Sequence, residues 1–168
     1  AIQKSGAGTL NLSGPITFNG QRVNLGDGTL GFTSAAAQAL TGEISGTGSL
    51  AKSGAGTLTL SGPINHTGST VINSGTLEVA TNTAQTLRST LSGSGTFLKS
   101  GSGTLTINQV QNHTGPTQIS AGSLRLTSGT APLFTDNFAA TGNPNTNNIN
   151  YNLANRQTGT AAQQTWTG

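Results

Sequence analysis

The sequence predicts an all-β protein built as a β-solenoid, and three observations support this fold class. The phrase KSGAGTL, or KSGSGTL, occurs three times, starting at Lys4, Lys52 and Lys99, at intervals of 48 and 47 residues. Short stretches alternate apolar and polar residues in two-residue steps, which is the period of a β-strand. Glycine, serine, threonine and asparagine supply more than half of the 168 residues, whereas only 7% are charged and 4% aromatic. Repetition at this length indicates stacked units around a thin core.

Three repeat units are predicted inside a solenoid domain at 1–132, near residues 4–30, 52–79 and 99–126. Within each unit, leucines alternate with threonines, as in TLTLS, and the intervening SG, GP, TG and NSG pairs are typical of turns. The alternation places one set of side chains toward the core. The residues predicted to point inward are Leu58, Leu60, Leu77, Val79, Leu105, Ile107, Leu124 and Leu126.

The repeat length favours a solenoid over a β-sandwich, because a sandwich of hairpins has no reason to repeat every 47 residues. In a solenoid each strand pairs with a strand one rung away, about 4.8 Å along the axis. We expect a 47-residue unit to make about two rungs, so that equivalent residues stack on one flank. The alanine-rich stretch 34–40 is the one candidate for a helical turn.

The composition excludes several classes of function. The chain has no cysteine, so disulfides, thiolate metal sites and cysteine catalysis are ruled out. No run approaches the roughly 18 apolar residues of a membrane-spanning helix, so we expect no membrane insertion by this segment. The seven basic residues are scattered and aromatic residues are few, which argues against nucleic-acid binding. The glycine phrase is not a phosphate loop, since its lysine precedes the glycines and a strand follows.

The titratable residues do not suggest a catalytic, cofactor or metal site. The four acids are dispersed, and a carboxylate pair such as Glu43 with Glu78 has no cleft motif around it, so solvated surface acids are the favoured interpretation. His66 and His113 are equivalent in the repeat, and we expect them to be solvent-facing turn residues about two rungs apart, too far apart to share a metal. The three repeat lysines are expected to form an outward ladder that discourages lateral sheet association.

Three asparagines precede Ser or Thr by two residues, and each is a formal glycosylation acceptor: Asn11, Asn65 and Asn112. For Asn65 and Asn112 a turn role, with the side chain bonding nearby backbone, is the favoured alternative.

The composition changes after Pro132. Residues 133–168 hold half of the chain's asparagines and its single Tyr and Trp, and the segment is too short and polar for a core of its own. We expect an extended, Asn-rich tail with one or two strands. Its possible assembly strand comprises Ile149, Tyr151, Leu153 and Trp166.

The phrase GTLTLSGPINHTGSTVINSGTLEV resembles the passenger-associated β-strand repeat of bacterial autotransporters and related surface proteins. The resemblance covers roughly residues 1–126, although FNGQRVNLGDGTL (18–30) lacks the Asn-x-x-Thr-Gly turn of the pattern. It implies a right-handed parallel β-helix displayed outside a bacterial cell, and it implies a scaffold rather than an enzyme. The tail weakly resembles the first strands of a laminin-G-like domain.

Two functions follow as expectations. The first is a non-enzymatic structural subunit of a fibre or surface layer, whose copies, or further repeats of a longer chain, stack head to tail. The tail is expected either to add a strand to a neighbouring subunit or to fold back and cap its own solenoid. The alternative is a stalk or adhesin passenger that binds glycans or a host surface. The scarcity of aromatic residues in the repeats favours the structural function, because long glycan grooves usually carry stacked aromatics.

Overall fold

The solenoid fold follows from strands that are too short to stand alone and that bury alternate side chains. A computed structural model describes residues 1–127, which form a parallel β-solenoid of about six turns, and this confirms the predicted fold class. The strand Ser49–Lys52, with sequence SLAK, shows the expected alternation of half-buried and buried positions. The tail 133–168 and its candidate strand, together with the predicted domain boundary at 132, lie outside the described residues.

Residues 1–127 contain eighteen strands, which lie on three faces and pair in parallel throughout. Face 1 consists of β1 (Ile2–Lys4), β3 (Val23–Leu25), β6 (Ile44–Gly46), β9 (Ile64–His66), β12 (Gln85–Leu87), β15 (Thr104–Ile107) and β18 (Ser123–Leu126). Face 2 consists of β2 (Thr9–Leu12), β4 (Thr29–Phe32), β7 (Ser49–Lys52), β10 (Thr70–Ile72), β13 (Leu91–Gly93) and β16 (Asn112–His113). Face 3 consists of β5 (Gln38–Leu40), β8 (Thr57–Leu60), β11 (Thr76–Ala80), β14 (Thr96–Ser100) and β17 (Thr117–Ile119).

One rung takes 19 to 21 residues, which is shorter than half of the sequence repeat. On face 2, Leu30 pairs with Leu50 and Leu50 with Thr70, 20 residues apart each time. Leu58 pairs with Leu77, 19 residues on. Three strands of two to five residues and three short corners account for this length. A 47-residue unit therefore makes slightly more than the expected two rungs.

Each sequence repeat covers two rungs and one additional face. Lys4 on face 1 pairs with Leu25, and Leu25 pairs with Gly46, which completes two rungs in 42 residues. Lys52 follows six residues later, on face 2. By the same step Lys99 lies on face 3. Equivalent residues of successive repeats therefore lie on different faces and do not stack on one another.

The core is a column of aliphatic and phenylalanine side chains along the solenoid axis. Leu58 stacks on Leu77 and Leu60 on Val79, because their strands pair in register. Of the residues predicted to point inward, those of β8, β11 and β15 are buried, whereas Leu124 and Leu126 of the last described strand are partly buried and pack against the core.

The alanine-rich stretch forms no helical turn, and residues 1–127 contain no helix. Its second half is strand β5, with Gln38 and Leu40 buried. The Gln38 side chain donates to the Gly14 carbonyl at 2.8 Å, one rung away. A buried amide with a carbonyl partner on the neighbouring rung holds this segment in the solenoid path.

Candidate functional site

The repeat lysines lie at the last or second-last position of a strand, at corners of the solenoid, and point inward. Lys52 is 2% exposed and Lys99 is fully buried, and Lys4 is also buried. The predicted outward ladder of lysines is therefore wrong. The aliphatic stems contribute to the core, and the ammonium groups end among backbone carbonyls at the corners.

Each lysine bonds carbonyls of two successive rungs. Lys99 Nζ donates to the Ser100 oxygen at 2.5 Å and the Gly101 oxygen at 2.9 Å, both in its own corner. It also donates to the Ala121 oxygen at 3.4 Å, on the next rung. The other two corners repeat this arrangement. Lys4 bonds Ser5, Gly6 and Asp27, and Lys52 bonds Gly54 and Ser74, in every case through backbone oxygens.

A glycine on the next rung completes each lysine corner. Gly28, Gly75 and Gly122 directly follow the residues whose carbonyls accept from the lysines, and their φ angles are 67°, 68° and 70°. A Cβ atom at these positions would lie 2.7, 2.7 and 3.0 Å from the lysine Nζ atoms. Glycine is therefore required both for its backbone conformation and for its lack of a side chain.

The lysine corners contain no carboxylate partner. In the part of the chain that the structure describes, the one ion pair joins Arg22 to Glu43, at 3.7 Å. Burial lowers the pKa of Lys52 and that of Lys99. Carbonyl oxygens are thus the groups that compensate the buried ammonium. This role explains why the phrase recurs. The sequence carries one signal of this contact, which is a glycine 23 or 24 residues after each lysine. The pairs are Lys4 with Gly28, Lys52 with Gly75 and Lys99 with Gly122.

His66 lies in the core of the solenoid. Its ring is fully buried in β9, and Nε2 lies 2.8 Å from the Thr70 hydroxyl, which in turn lies 2.8 Å from the Ser89 hydroxyl. Burial lowers its pKa from an ordinary 6.5 to about 4. The ring is therefore neutral at pH 7, and Nδ1 has no hydrogen-bond partner.

His113 is also buried, in β16 on face 2. Its Nε2–H donates to the Gly95 carbonyl at 2.8 Å, and the ring meets Phe97 nearly edge-on with 6.5 Å between centroids. Burial lowers the pKa of His113, and the bond to Gly95 partly offsets this effect. Both histidines occupy buried strand positions, and they lie on different faces because the repeat advances by one face. The expectation of two solvent-facing histidines on one flank is therefore wrong.

The three asparagines of the glycosylation motifs lie in strands and not in turns. Asn11, Asn65 and Asn112 are exposed, in β2, β9 and β16. Asn65 Nδ2 donates to the Glu43 carboxylate at 2.7 Å on the neighbouring rung. The predicted turn role for Asn65 and Asn112 is therefore wrong, since alternation within the strand turns these side chains outward.

The two acids considered as a pair lie on different faces. Glu43 lies on face 1 with Arg22 and Asn65, whereas Glu78 on face 3 accepts from the Thr59 and Ser100 hydroxyls, at 2.8 and 2.5 Å. Within residues 1–127 no group of three or more His, Asp or Glu could hold a metal. The same residues include no helix capable of spanning a membrane.

A groove opens on face 1 where its backbone ladder is interrupted. Strands β1, β3, β6 and β9 form one sheet and β12, β15 and β18 another. Between them the Ile64 N–H donates to the side-chain oxygen of Gln85, at 3.0 Å, instead of to a backbone carbonyl. The Gln85 amide nitrogen donates to Thr81 Oγ1 at 3.0 Å and to the Gly62 oxygen at 3.4 Å. The groove has a volume of about 450 Å³, and sequence reasoning did not detect it.

Comparison with protein families agrees with this architecture. The model of the passenger-associated-transport-repeat matches three times, at residues 2–32, 50–79 and 97–126, and these matches cover more than half of the chain. The comparisons with curated proteins and with solved structures gave no match. The three matches contain the three lysine corners and their partner glycines. The chain therefore belongs to the passenger-associated-transport-repeat family.

Proposed function

We propose that this segment is a non-enzymatic structural scaffold, displayed outside a bacterial cell, that lengthens along its axis by stacking on further rungs. Membership of a family of passenger repeats supports the surface location. The solenoid supports the scaffold role, because its core and the unbroken backbone ladders of faces 2 and 3 run along a single axis. A stalk or fibre is the natural product of such axial growth.

The observation that carries the proposal is the exposure of apolar side chains at the first and last rungs of residues 1–127. Leu10 in β2 is 42% exposed, whereas Leu30 and Leu50 in the same column are fully buried. Ile119 in β17 is 44% exposed and continues the column of Lys99 and Val79, both buried. A further rung placed on either end would cover these side chains and pair the open strand edges.

We propose that copies of the chain supply such rungs, stacking head to tail. A contact of this kind between two different ends does not close and therefore propagates as a filament. Under this proposal the tail strand around Tyr151 reinforces the junction by adding to a neighbouring copy. Further repeats of a longer chain are the other source of covering rungs.

Sedimentation velocity over a range of concentrations, with electron microscopy of the same samples, tests head-to-tail stacking. The test variant carries Leu10→Lys together with Ile119→Lys, which places charge at both ends. The matched control is Leu98→Lys, since Leu98 is a half-buried apolar residue that points outward from face 3. We expect filaments from the unchanged chain and the control, and monomers from the end variant. A monomeric unchanged chain at high concentration would overturn stacking between copies.

Deletion of residues 133–168 tests the tail separately. If the truncated chain forms filaments as readily as the full chain, the tail strand takes no part in assembly and the end rungs suffice. If filaments disappear while circular dichroism shows an intact solenoid, the tail is part of the junction.

A further inference from the structure

The groove on face 1 lies on the most cationic side of the described solenoid. The three arginines among residues 1–127 all belong to this face: Arg22 precedes β3, Arg88 follows β12, and Arg125 lies in β18. Glu43 is the single acid within a strand or directly beside one on face 1. The outward positions of the face 2 strands carry no charge, and those of face 3 carry Glu78.

Arg88 is the cation that lines the groove. It is exposed, and within the described part of the chain no carboxylate lies within 4 Å of its guanidinium. Arg22, on the same face, already contacts Glu43. The groove therefore presents a guanidinium whose planar hydrogen-bonding groups are available to an anion from outside the chain.

The rest of the groove wall offers neutral hydrogen-bonding groups and small apolar surfaces. Thr86 and Thr106 line it with two hydroxyls, and Pro63 and Ala84 contribute exposed apolar carbon. Asn65 contributes an amide whose Nδ2 also donates to the Glu43 carboxylate, at 2.7 Å. No aromatic residue lines this groove. Stacking of nucleic-acid bases or of sugar rings on aromatic side chains is therefore absent from its chemistry. A ligand of this groove must be held by charge and hydrogen bonds.

We propose that this groove binds a carboxylate-bearing saccharide unit of an acidic polysaccharide, with Arg88 holding the carboxylate. A guanidinium and a carboxylate form paired charge-assisted hydrogen bonds, which are stronger than neutral ones. The hydroxyls and the amide of Thr86, Thr106 and Asn65 match the hydroxyls of a sugar ring. Binding at this groove goes beyond the scaffold function and does not depend on it, because the groove lies on the side of the solenoid and not at its ends.

Amide chemical-shift titration of the full-length end variant (Leu10→Lys with Ile119→Lys) at physiological salt tests the proposal, since this salt screens long-range attraction between exposed charges. Neither substituted residue lines the groove. The probes are a uronic acid oligomer (oligogalacturonate), its neutral methyl ester, and acetate. We expect saturable shifts at Thr86 and Thr106 with oligogalacturonate. The methyl ester should bind roughly tenfold more weakly or worse, because it lacks the charge-assisted bonds. Acetate alone should give no saturable shift over the same concentrations.

Two variants with the same loss of charge distinguish binding at this groove from nonspecific electrostatic attraction to the arginines of face 1. Arg88→Gln should weaken oligogalacturonate binding roughly tenfold or more, while Arg22→Gln, on the same face but outside the groove, should leave it nearly unchanged. Circular dichroism establishes that both variants keep the fold. Equal losses in both variants, equal binding of the acid and its ester, or no saturable shift at the groove would each overturn the proposal. The outcome of the filament experiment does not affect these measurements, because the end variant is expected to be monomeric whether or not the unchanged chain forms filaments.

Discussion

Replacing Lys52 by methionine tests whether the lysine corners stabilise the solenoid. Methionine keeps most of the buried aliphatic stem but removes the ammonium that donates to the carbonyls of Gly54 and Ser74. Within residues 1–127 neither carbonyl accepts a hydrogen bond from any other group, and the lysine they contact is 2% exposed. A buried acceptor left without a partner costs about 1 to 3 kcal/mol, so two of them should lower the free energy of unfolding by about 2 to 6 kcal/mol.

Urea denaturation followed by far-ultraviolet circular dichroism measures this loss. Arg88→Met is the matched control, because it removes a cation from an exposed side chain and should change the stability by no more than about 0.5 kcal/mol. A midpoint for Lys52→Met within error of the unchanged chain would refute the role of the corner. If Lys52→Met and Arg88→Met lower the free energy of unfolding equally, the loss is due to the change in net charge and not to the corner.

Three other changes follow from the same geometry. Leu60→Ala should lower the stability by about 2 to 4 kcal/mol, because Leu60 is 3% exposed in the core; an unchanged melting temperature would contradict the register of β8. Gly75→Ala should be destabilising by at least about 1 kcal/mol, since its positive φ disfavours a side chain and its Cβ would meet Lys52 Nζ at 2.7 Å; Ser53→Ala, in the exposed part of the corner, is the control for urea midpoints. The pKa of His66 is about 4 in the folded chain and 6.5 without burial, so the unfolded chain takes up a proton first as the pH falls. The free energy of unfolding should therefore fall as the pH drops from about 6.5 to about 4, by roughly 3 kcal/mol in total. Urea midpoints at several pH values should show a smaller loss in His66→Gln, and an identical pH profile would contradict burial of the ring.

The fold class and the inward-facing leucines could be predicted because they depend on local alternation. Leu58 and Leu60 alternate with threonines, and in the structure they stack on Leu77 and Val79 of the next rung. The rung length could not be obtained from the repeat. A 47-residue period is compatible with a whole number of rungs, and also with a whole number of rungs plus one face, because all three corners can carry the same sequence. Only the register of the strands shows that Lys4 and Lys52 lie on different faces.

The orientation of the polar residues was predicted wrongly for a related physical reason. A lysine between strands is usually solvated, and the prediction followed that tendency. The corner instead supplies several inward-facing carbonyls, and these provide the hydrogen bonds that water would otherwise make. Backbone groups of this kind leave little trace in the sequence beyond the glycine that must approach them. The groove beside Arg88 depends on an interruption between β9 and β12, which no local pattern indicates.

The advance of one face per repeat determines how this scaffold orients whatever it carries. Because each unit ends one face further round the axis, the exposed Asn65 and Asn112, equivalent in sequence, project in different directions. A decoration on every repeat would spiral around the rod instead of forming a stripe. Gain or loss of a single repeat would both change the reach of the rod and turn everything beyond it by about a third of a revolution. Three repeats complete one full revolution. The number of repeats would therefore set the direction faced by any domain attached beyond them.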